Sequence, residues 1–331
     1  MRTDPRRSGG HAVEVAEGTW AWLQPDGSWG WSNAGLVTDG DATLLVDTLY
    51  DLDLTRRMLE GFAALGAAPI DTVVNTHSNG DHCNGNELVA DARIIASAAT
   101  ADEMGDESPE LMVALLEAAP TMGVTGEFFA QCFGAFDFAG ITPTPPHETF
   151  SGRLELNVGA TRIDLVEVGP AHTRGDVLVH VPERRTVFTG DIVFSEGHPI
   201  LWEGPVDRLL AAFHLIRSWA PEVVVPGHGP LTDLAGIDRI DAYVRYCRDT
   251  FFAFYDEGMD VETAAREIRL DRWAGWGDPE RIVIMADTCH RDWVAARHGT
   301  RPERTPVTEL FAAMARWWDE RREPAPPTRR G

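Results

Sequence analysis

The sequence predicts an α/β protein: a mixed sheet with helices on its outer faces. Three observations lead there. Short β-branched runs joined by Asp-Gly turns fill the first fifty residues. A strand–helix–strand succession follows, with the apolar period changing from two to 3.6 and back. From about residue 233 onward the pattern is almost wholly helical.

Taken in order, Val13 to Thr48 alternates β-like runs with turns at Pro25-Asp26-Gly27-Ser28 and Thr38-Asp39-Gly40-Asp41. Ala42 to Thr48 reads as a buried strand. Leu52 to Leu65 places Leu54, Met58, Leu59, Phe62 and Leu65 at helical spacing. Thr72-Val73-Val74 and Arg93-Ile94-Ile95-Ala96 return to strand. Asp102 to Gly140 interrupts the rhythm with a helical pattern ending in Phe128, Phe129, Phe133, Phe136 and Phe138. Two readings of this insertion stand side by side: a packing element on the body, or a lid lining a substrate pocket. Pro143, Pro145 and Pro146 then force extended chain. Leu154 to Gly169 and Asp176 to Asp191 read as hairpins, the second turning at Pro182-Glu183-Arg184-Arg185. Val206 to Trp219 is an amphipathic helix. Ile237–Tyr255, Val261–Leu270, Pro279–Ala296 and Pro306–Trp318 are the helical pieces of the C-terminal part.

Composition bounds the function. At 331 residues the chain can bury a large core as one domain or two. A formal net charge of −23 disfavours nucleic acid and anionic membrane surfaces, both of which need a basic face. No apolar run is long enough to span a bilayer, and the basic N-terminus lacks the apolar stretch of a secretory signal. The four cysteines, Cys83, Cys132, Cys247 and Cys289, are scattered without a CxxC pair. The expectation is a reduced, cytoplasmic protein acting on a small molecule, with a homo-oligomer left open.

The chemistry concentrates in four segments. Asn75-Thr76-His77-Ser78-Asn79-Gly80-Asp81-His82-Cys83-Asn84-Gly85-Asn86 follows an apolar strand. Gly169-Pro170-Ala171-His172-Thr173-Arg174-Gly175-Asp176, Val187-Phe188-Thr189-Gly190-Asp191 and Val223-Val224-Val225-Pro226-Gly227-His228-Gly229-Pro230 each adjoin a β-rich run. All put His or Asp on a Gly-rich turn or at a strand end, where loops on a rigid scaffold carry binding groups. Imidazole nitrogen and carboxylate oxygen are ligands for zinc, iron and manganese.

The order and local chemistry of these four segments resemble the metallo-β-lactamase-fold superfamily, from about Gly35 to Pro230. The resemblance implies an αββα four-layer sandwich. Together with the helical patterns and the composition of the two ends, this gives a domain over 11–232 with the helical insertion at about 102–140, a C-terminal helical extension over 233–320, a disordered leader over 1–10 and a disordered tail over 321–331. The first motif of the family is His-x-His-x-Asp-His, and here Asn79 stands at its second histidine. Carried over, His77 and His172 belong to a first metal position, with Asn79 where a third ligand is expected. Asp81, His82 and His228 hold a second position, and Asp191 bridges the two. An amide oxygen is a weaker transition-metal ligand than imidazole, so the first position is weak, empty or tuned to a harder ion.

The resemblance further implies a metal-dependent hydrolase, with one or two zinc ions, or iron or manganese. A metal-activated water would cleave an ester, thioester, lactone or amide, with Asp81 moving the proton. Asp47 and Asp176 are candidates to orient the histidine ligands. A lyase, a decarboxylase or an oxidative tailoring enzyme on the same site is the alternative. A non-catalytic binding protein would have little use for six retained ligands. His198, in Glu196-Gly197-His198-Pro199, is a candidate catalytic or substrate-contacting group because it closely follows Asp191. Cys83 is either a ligand or nucleophile, or a small apolar residue behind the loop. Phe194 stands where lactone-hydrolysing relatives carry tyrosine, which argues against simple lactone hydrolysis of that type. Trp20, Trp22, Trp29 and Trp31, evenly spaced, are read as a strand pair facing one side, for stacking on substrate or for packing. His180, His214, His147 and His290 are expected to be structural.

Overall fold

The computed structural model describes residues 9–25 and 27–322. Nearly all of the expected disordered leader and tail, and Asp26 of the first turn, lie outside the described residues.

Seven strands form the first sheet: His11–Ala16 (β1), Thr19–Leu23 (β2), Ala34–Asp39 (β3), Ala42–Val46 (β4), Thr72–Val74 (β5), Arg93–Ser97 (β6) and Glu148–Phe150 (β7). They lie in sequence order, antiparallel from β1 to β4 and parallel from β4 to β7. The second sheet holds Arg153–Val158 (β8), Thr161–Glu167 (β9), Val177–Val181 (β10), Thr186–Phe188 (β11) and Val223–Val225 (β12). Its order is β12-β11-β10-β9-β8, with β11 and β12 parallel.

Side-chain alternation builds the layers, since successive residues of a strand face opposite sides. Val37, Leu44, Val46, Val74 and Ile95 of the first sheet pack on Ile163, Leu165, Val177, Val179 and Phe188 of the second. Their neighbours Leu36, Leu45, Val73 and Ile94 face outward, as do Leu178, Val187 and Val224. Leu52–Ala64 (α1) covers the first outer face with Leu54, Met58 and Phe62, and Asp51 caps it by accepting from Leu54 N at 2.8 Å. Four more helices precede the second sheet: Gly80–Cys83 (α2), Ala98–Glu103 (α3), Pro109–Ala118 (α4) and Gly123–Phe133 (α5). Val206–Trp219 (α6) and Leu234–Asp256 (α7) cover the second outer face. Val261–Glu267 (α8), Ile282–His298 (α9) and Val307–Asp319 (α10) complete the chain. The architecture is the expected αββα sandwich with helical additions.

The structure departs from expectation in two places. Only Trp20 and Trp22 lie on a strand. Trp29 and Trp31 are buried in the irregular connection between β2 and β3, so the four do not form a strand pair. The extended chain after Pro146 becomes β7, an edge strand too short and polar to announce itself. Among the described residues no helix is long and apolar enough to cross a membrane.

Candidate metal centre

Strand ends place the site. His77 follows β5, Asp191 lies in a tight turn after β11, and His228 follows β12; His172 sits in the connection from β9 to β10. Asn79 precedes α2, and Asp81 and His82 are within it. The α2 turn is fixed from behind. The His82 carbonyl accepts from Thr48 N at 3.0 Å and from Asn75 Nδ2 at 3.0 Å. The loops carrying Asp191 and His228 meet so closely that a Cβ on Gly227 would lie 2.0 Å from Asp191 Oδ1, which requires glycine there.

These residues converge into two groups. His77, His172 and Asp191 offer ligand atoms all within 4.8 Å of one another, and so do Asp81, His82 and His228. Asp191 Oδ2 lies 3.4 Å from both His172 Nε2 and His228 Nε2, and its Oδ1 lies 3.1 Å from His82 Nε2. Asp81 Oδ2 is 3.2 Å from His228 Nε2. All except Asp81 are almost fully buried. His77 Nε2, His82 Nε2 and Asp191 Oδ1 have no hydrogen-bond partner in this buried setting. Buried polar atoms are rarely left so, and a cation among them accounts for all three.

Charge tells the same story. Burial drives the His77 and His172 imidazoles below their usual range. Burial also pulls on His82 and His228, but the Asp191 and Asp81 carboxylates outweigh it. They hold His82 well above its usual range and lift His228 to about 9. The buried carboxylates thus favour positive charge beside them, which a divalent ion supplies when bound. The residues present fit such an ion.

Three of the four ring nitrogens facing away from the cluster are held, whereas His228 Nδ1 has no hydrogen-bond partner. His172 Nδ1 donates to Ile200 O at 2.9 Å. His82 Nδ1 donates to Asp47 Oδ2 at 2.9 Å. Asp47 also accepts from Thr76 N and Thr76 Oγ1, each at 2.7 Å, and Thr76 Oγ1 meets His77 Nδ1 at 3.0 Å. Asp47 thereby orients two histidines at once, from a left-handed backbone at φ 63° that costs a non-glycine residue strain. Asp47→Ala is expected to weaken metal affinity about 10–100-fold, the usual effect of removing a group that orients ligands. Competition against a chelator measures this, and unchanged affinity would refute the role. Asp176 does not touch a histidine. It accepts from Thr173 N and Thr173 Oγ1, at 3.0 and 2.7 Å, and so shapes the turn that carries His172.

Asn79 Oδ1 lies 2.7 Å from His172 Nε2. With Nδ1–H given to Ile200, that nitrogen presents a lone pair. Two acceptors cannot face each other at this distance without a proton or cation between them. Turning the amide so that its NH2 donates removes the conflict.

His198 is not part of the cluster, which corrects its assignment as a catalytic group. It is buried; its Nδ1 meets Tyr243 Oη at 2.8 Å and its carbonyl accepts from Arg281 Nη1 at 3.3 Å. Burial and then the Arg281 charge drive its pKa to about 4, so it packs as a neutral ring. Cys83 is in neither ligand group. Its Sγ lies 3.4 Å from the carbonyls of Ser78 and Asn79, and burial pushes the thiol up. Phe194 stacks on the His228 ring at 5.1 Å and 9°, and Arg281 lies over Phe194 and Trp29. Phe194 thereby braces a candidate ligand ring.

Asn79, Asp81, His172, Asp191 and His228 line a cavity of about 490 Å³. Two groups there escaped the sequence. Tyr50 Oη donates to Glu107 Oε1 at 2.7 Å, and burial lifts the Glu107 carboxyl to about 7. Tyr50 lies three residues beyond Asp47, in the loop after β4, and this was the one available signal. Glu107 sits in an acidic stretch that reads as a solvated turn.

The model of the metallo-beta-lactamase superfamily matches residues 27–228. The chain is 21% identical over 257 residues to a linear primary-alkylsulfatase of Pseudomonas sp. (strain ATCC 19151), covering 67% of this chain and 46% of that protein. It spans about half the length of the curated relatives it matches. A solved double mutant of a sec-alkyl sulfatase superposes with TM-score 0.64 at 13% identity, over 86% of this chain and 50% of that one. A metallo-beta-lactamase from Pseudomonas aeruginosa in its mono-zinc form superposes with TM-score 0.50 at 19% identity, over 73% of this chain and 98% of that one.

Proposed function

The chain belongs to the metallo-beta-lactamase superfamily, and on that premise we propose that it is a metal-dependent hydrolase of a small-molecule ester, thioester, sulfate ester, lactone or amide. The observation that carries this reading is the convergence of six buried His and Asp ligands, with unpartnered ring nitrogens, beside a cavity. The alkylsulfatase likenesses support the hydrolytic class and the inclusion of sulfate esters.

His77 and His172 would hold one ion, Asp81, His82 and His228 a second, and Asp191 both. Zinc suits this donor set of imidazole and carboxylate. A bound ion supplies a water that ionises near neutral pH and a Lewis acid for the substrate. The chain's own residues do the rest. Asp81, the least buried carboxylate of the cluster, takes up the proton from the attacking water and returns it to the leaving group. Asp47, directly and through Thr76, and Ile200 keep the imidazoles of His82, His77 and His172 in one tautomer. Tyr50 lines the cavity with its hydroxyl donating to Glu107.

The test is turnover of an ester, thioester and sulfate-ester panel by metal-loaded protein in ¹⁸O-water. One labelled oxygen per turnover, carried by one of the two products, supports hydrolysis. Turnover with no label in either product refutes it and favours elimination or oxidation at the same site.

Asn79 makes the two positions unequal. Asn79→Ala is expected to change metal content little, whereas Asn79→His adds an imidazole beside His77 and His172 and raises occupancy there. Metal counts per chain decide this. Two tightly held ions in the wild type, one of them lost in Asn79→Ala, would show the amide to be a true ligand.

A further inference from the structure

Away from the metal cluster the cavity changes character. Its walls there are Met112 and Leu115 of α4, Phe129 and Phe133 of α5, Phe311 of α10 and Trp202. Phe311 packs on Phe129 and Phe133 with ring centroids 6.0 and 5.8 Å apart, so the insertion and the C-terminal helix close the chamber together. Most large apolar side chains of the protein are covered. Of the three exposed ones among the described residues, Leu65, Leu111 and Met122, the last two border this same cavity. The charged groups of the wall are largely engaged. Glu103 pairs with Arg174 at 2.7 Å, Arg304 with Glu203 at 3.1 Å, and Glu107 accepts from Tyr50. At about 490 Å³ the space falls in the range of small-molecule sites.

We infer that this chamber binds the aliphatic chain of an amphipathic substrate whose polar, scissile group lies at the metal cluster. The inference rests on the hydrolase reading for what happens to that polar group, and on the chamber alone for the chain. Flexible Met and Leu side chains adapt to a flexible chain. The phenyl rings of α5 and α10 pack on one another in tilted and edge-to-face contacts. No unpaired cation on the α4, α5 and α10 walls awaits a second anionic group.

The test uses binding, so it needs no turnover. Sodium n-alkanoates from butanoate to dodecanoate, each below its micelle threshold, are titrated calorimetrically into metal-loaded protein. Each added methylene should lower Kd about fourfold, the factor corresponding to ~0.8 kcal/mol per buried CH2, until the chamber is full. Leu115→Asp should raise Kd for decanoate at least tenfold and flatten the series, with metal content and thermal midpoint checked alongside. A wild-type Kd independent of chain length overturns the inference without reference to any variant. Tighter binding of phenyl-bearing carboxylates of equal carbon number overturns the aliphatic assignment. A protein that hydrolyses nothing yet shows the methylene series refutes the hydrolase reading and supports the chamber.

Discussion

Removal of the bound metal is expected to abolish turnover and to lower the thermal midpoint by roughly 8 °C. The expectation follows from what the cluster buries. His77, His82, His172, His228 and Asp191 are nearly sealed from water, with Asp81 only slightly open. An ion bound by the folded chain and not by the unfolded one adds about 4 kcal/mol when free metal stands 1,000-fold above its Kd. For a large domain, 1 kcal/mol moves the midpoint by about 2 °C. Melting curves and activity before and after EDTA treatment, then after zinc is restored, test both halves. An unchanged midpoint with unchanged activity would sink the assignment of this cluster as a metal site.

Asp81→Asn is expected to lower kcat by about 10²-fold or more, the usual worth of a positioned acid or base. The amide keeps the shape and one oxygen near His228, now 3.2 Å away, but no longer takes up a proton. Metal content should fall less than in His228→Ala, which removes a whole ligand. Turnover per bound metal separates the two effects. Full turnover at normal occupancy would take proton transfer away from Asp81. Since His198 is held by Tyr243 and Arg281, the next candidate base is Glu107, which lines the cavity with its carboxyl raised by burial to about 7.

Local pattern was a good guide wherever the chemistry was local. Leu44, Leu45 and Val46 alternate between two cores because a strand alternates, and Val206–Trp219 is a helix with the bounds its apolar spacing suggests. The candidate ligands were singled out because four His-, Asp- and Gly-bearing turns resemble a family's motifs, and the fold brings those residues together. What pattern could not show depends on tertiary approach. Trp29 and Trp31 have strand-like spacing but are buried in an irregular loop, with Trp29 Nε1 donating to Glu280 Oε1 at 2.8 Å. His198 is near Asp191 in sequence yet turns its ring toward α7. Glu107 and Tyr50 meet only through folding, 57 residues apart. The insertion was left between packing and lid; it borders the cavity while Phe128 packs on Phe311 and Trp318 of the C-terminal helix.

The contact of Phe311 with Phe129 and Phe133 has a bearing on how such a protein diversifies. The candidate ligands sit on turns after strands or, for Asp81 and His82, on the short α2, whereas the apolar walls of the cavity hang largely from α4, α5 and α10. Mutation can therefore retune the molecules admitted without disturbing the ligand geometry. It must do so in concert, because a change in the insertion is felt at once by a helix nearly two hundred residues later. Chimeras that exchange residues 98–140 alone between relatives should inherit a mismatched seam, and those that exchange 98–140 together with the C-terminal helix should carry their donor's preference with them.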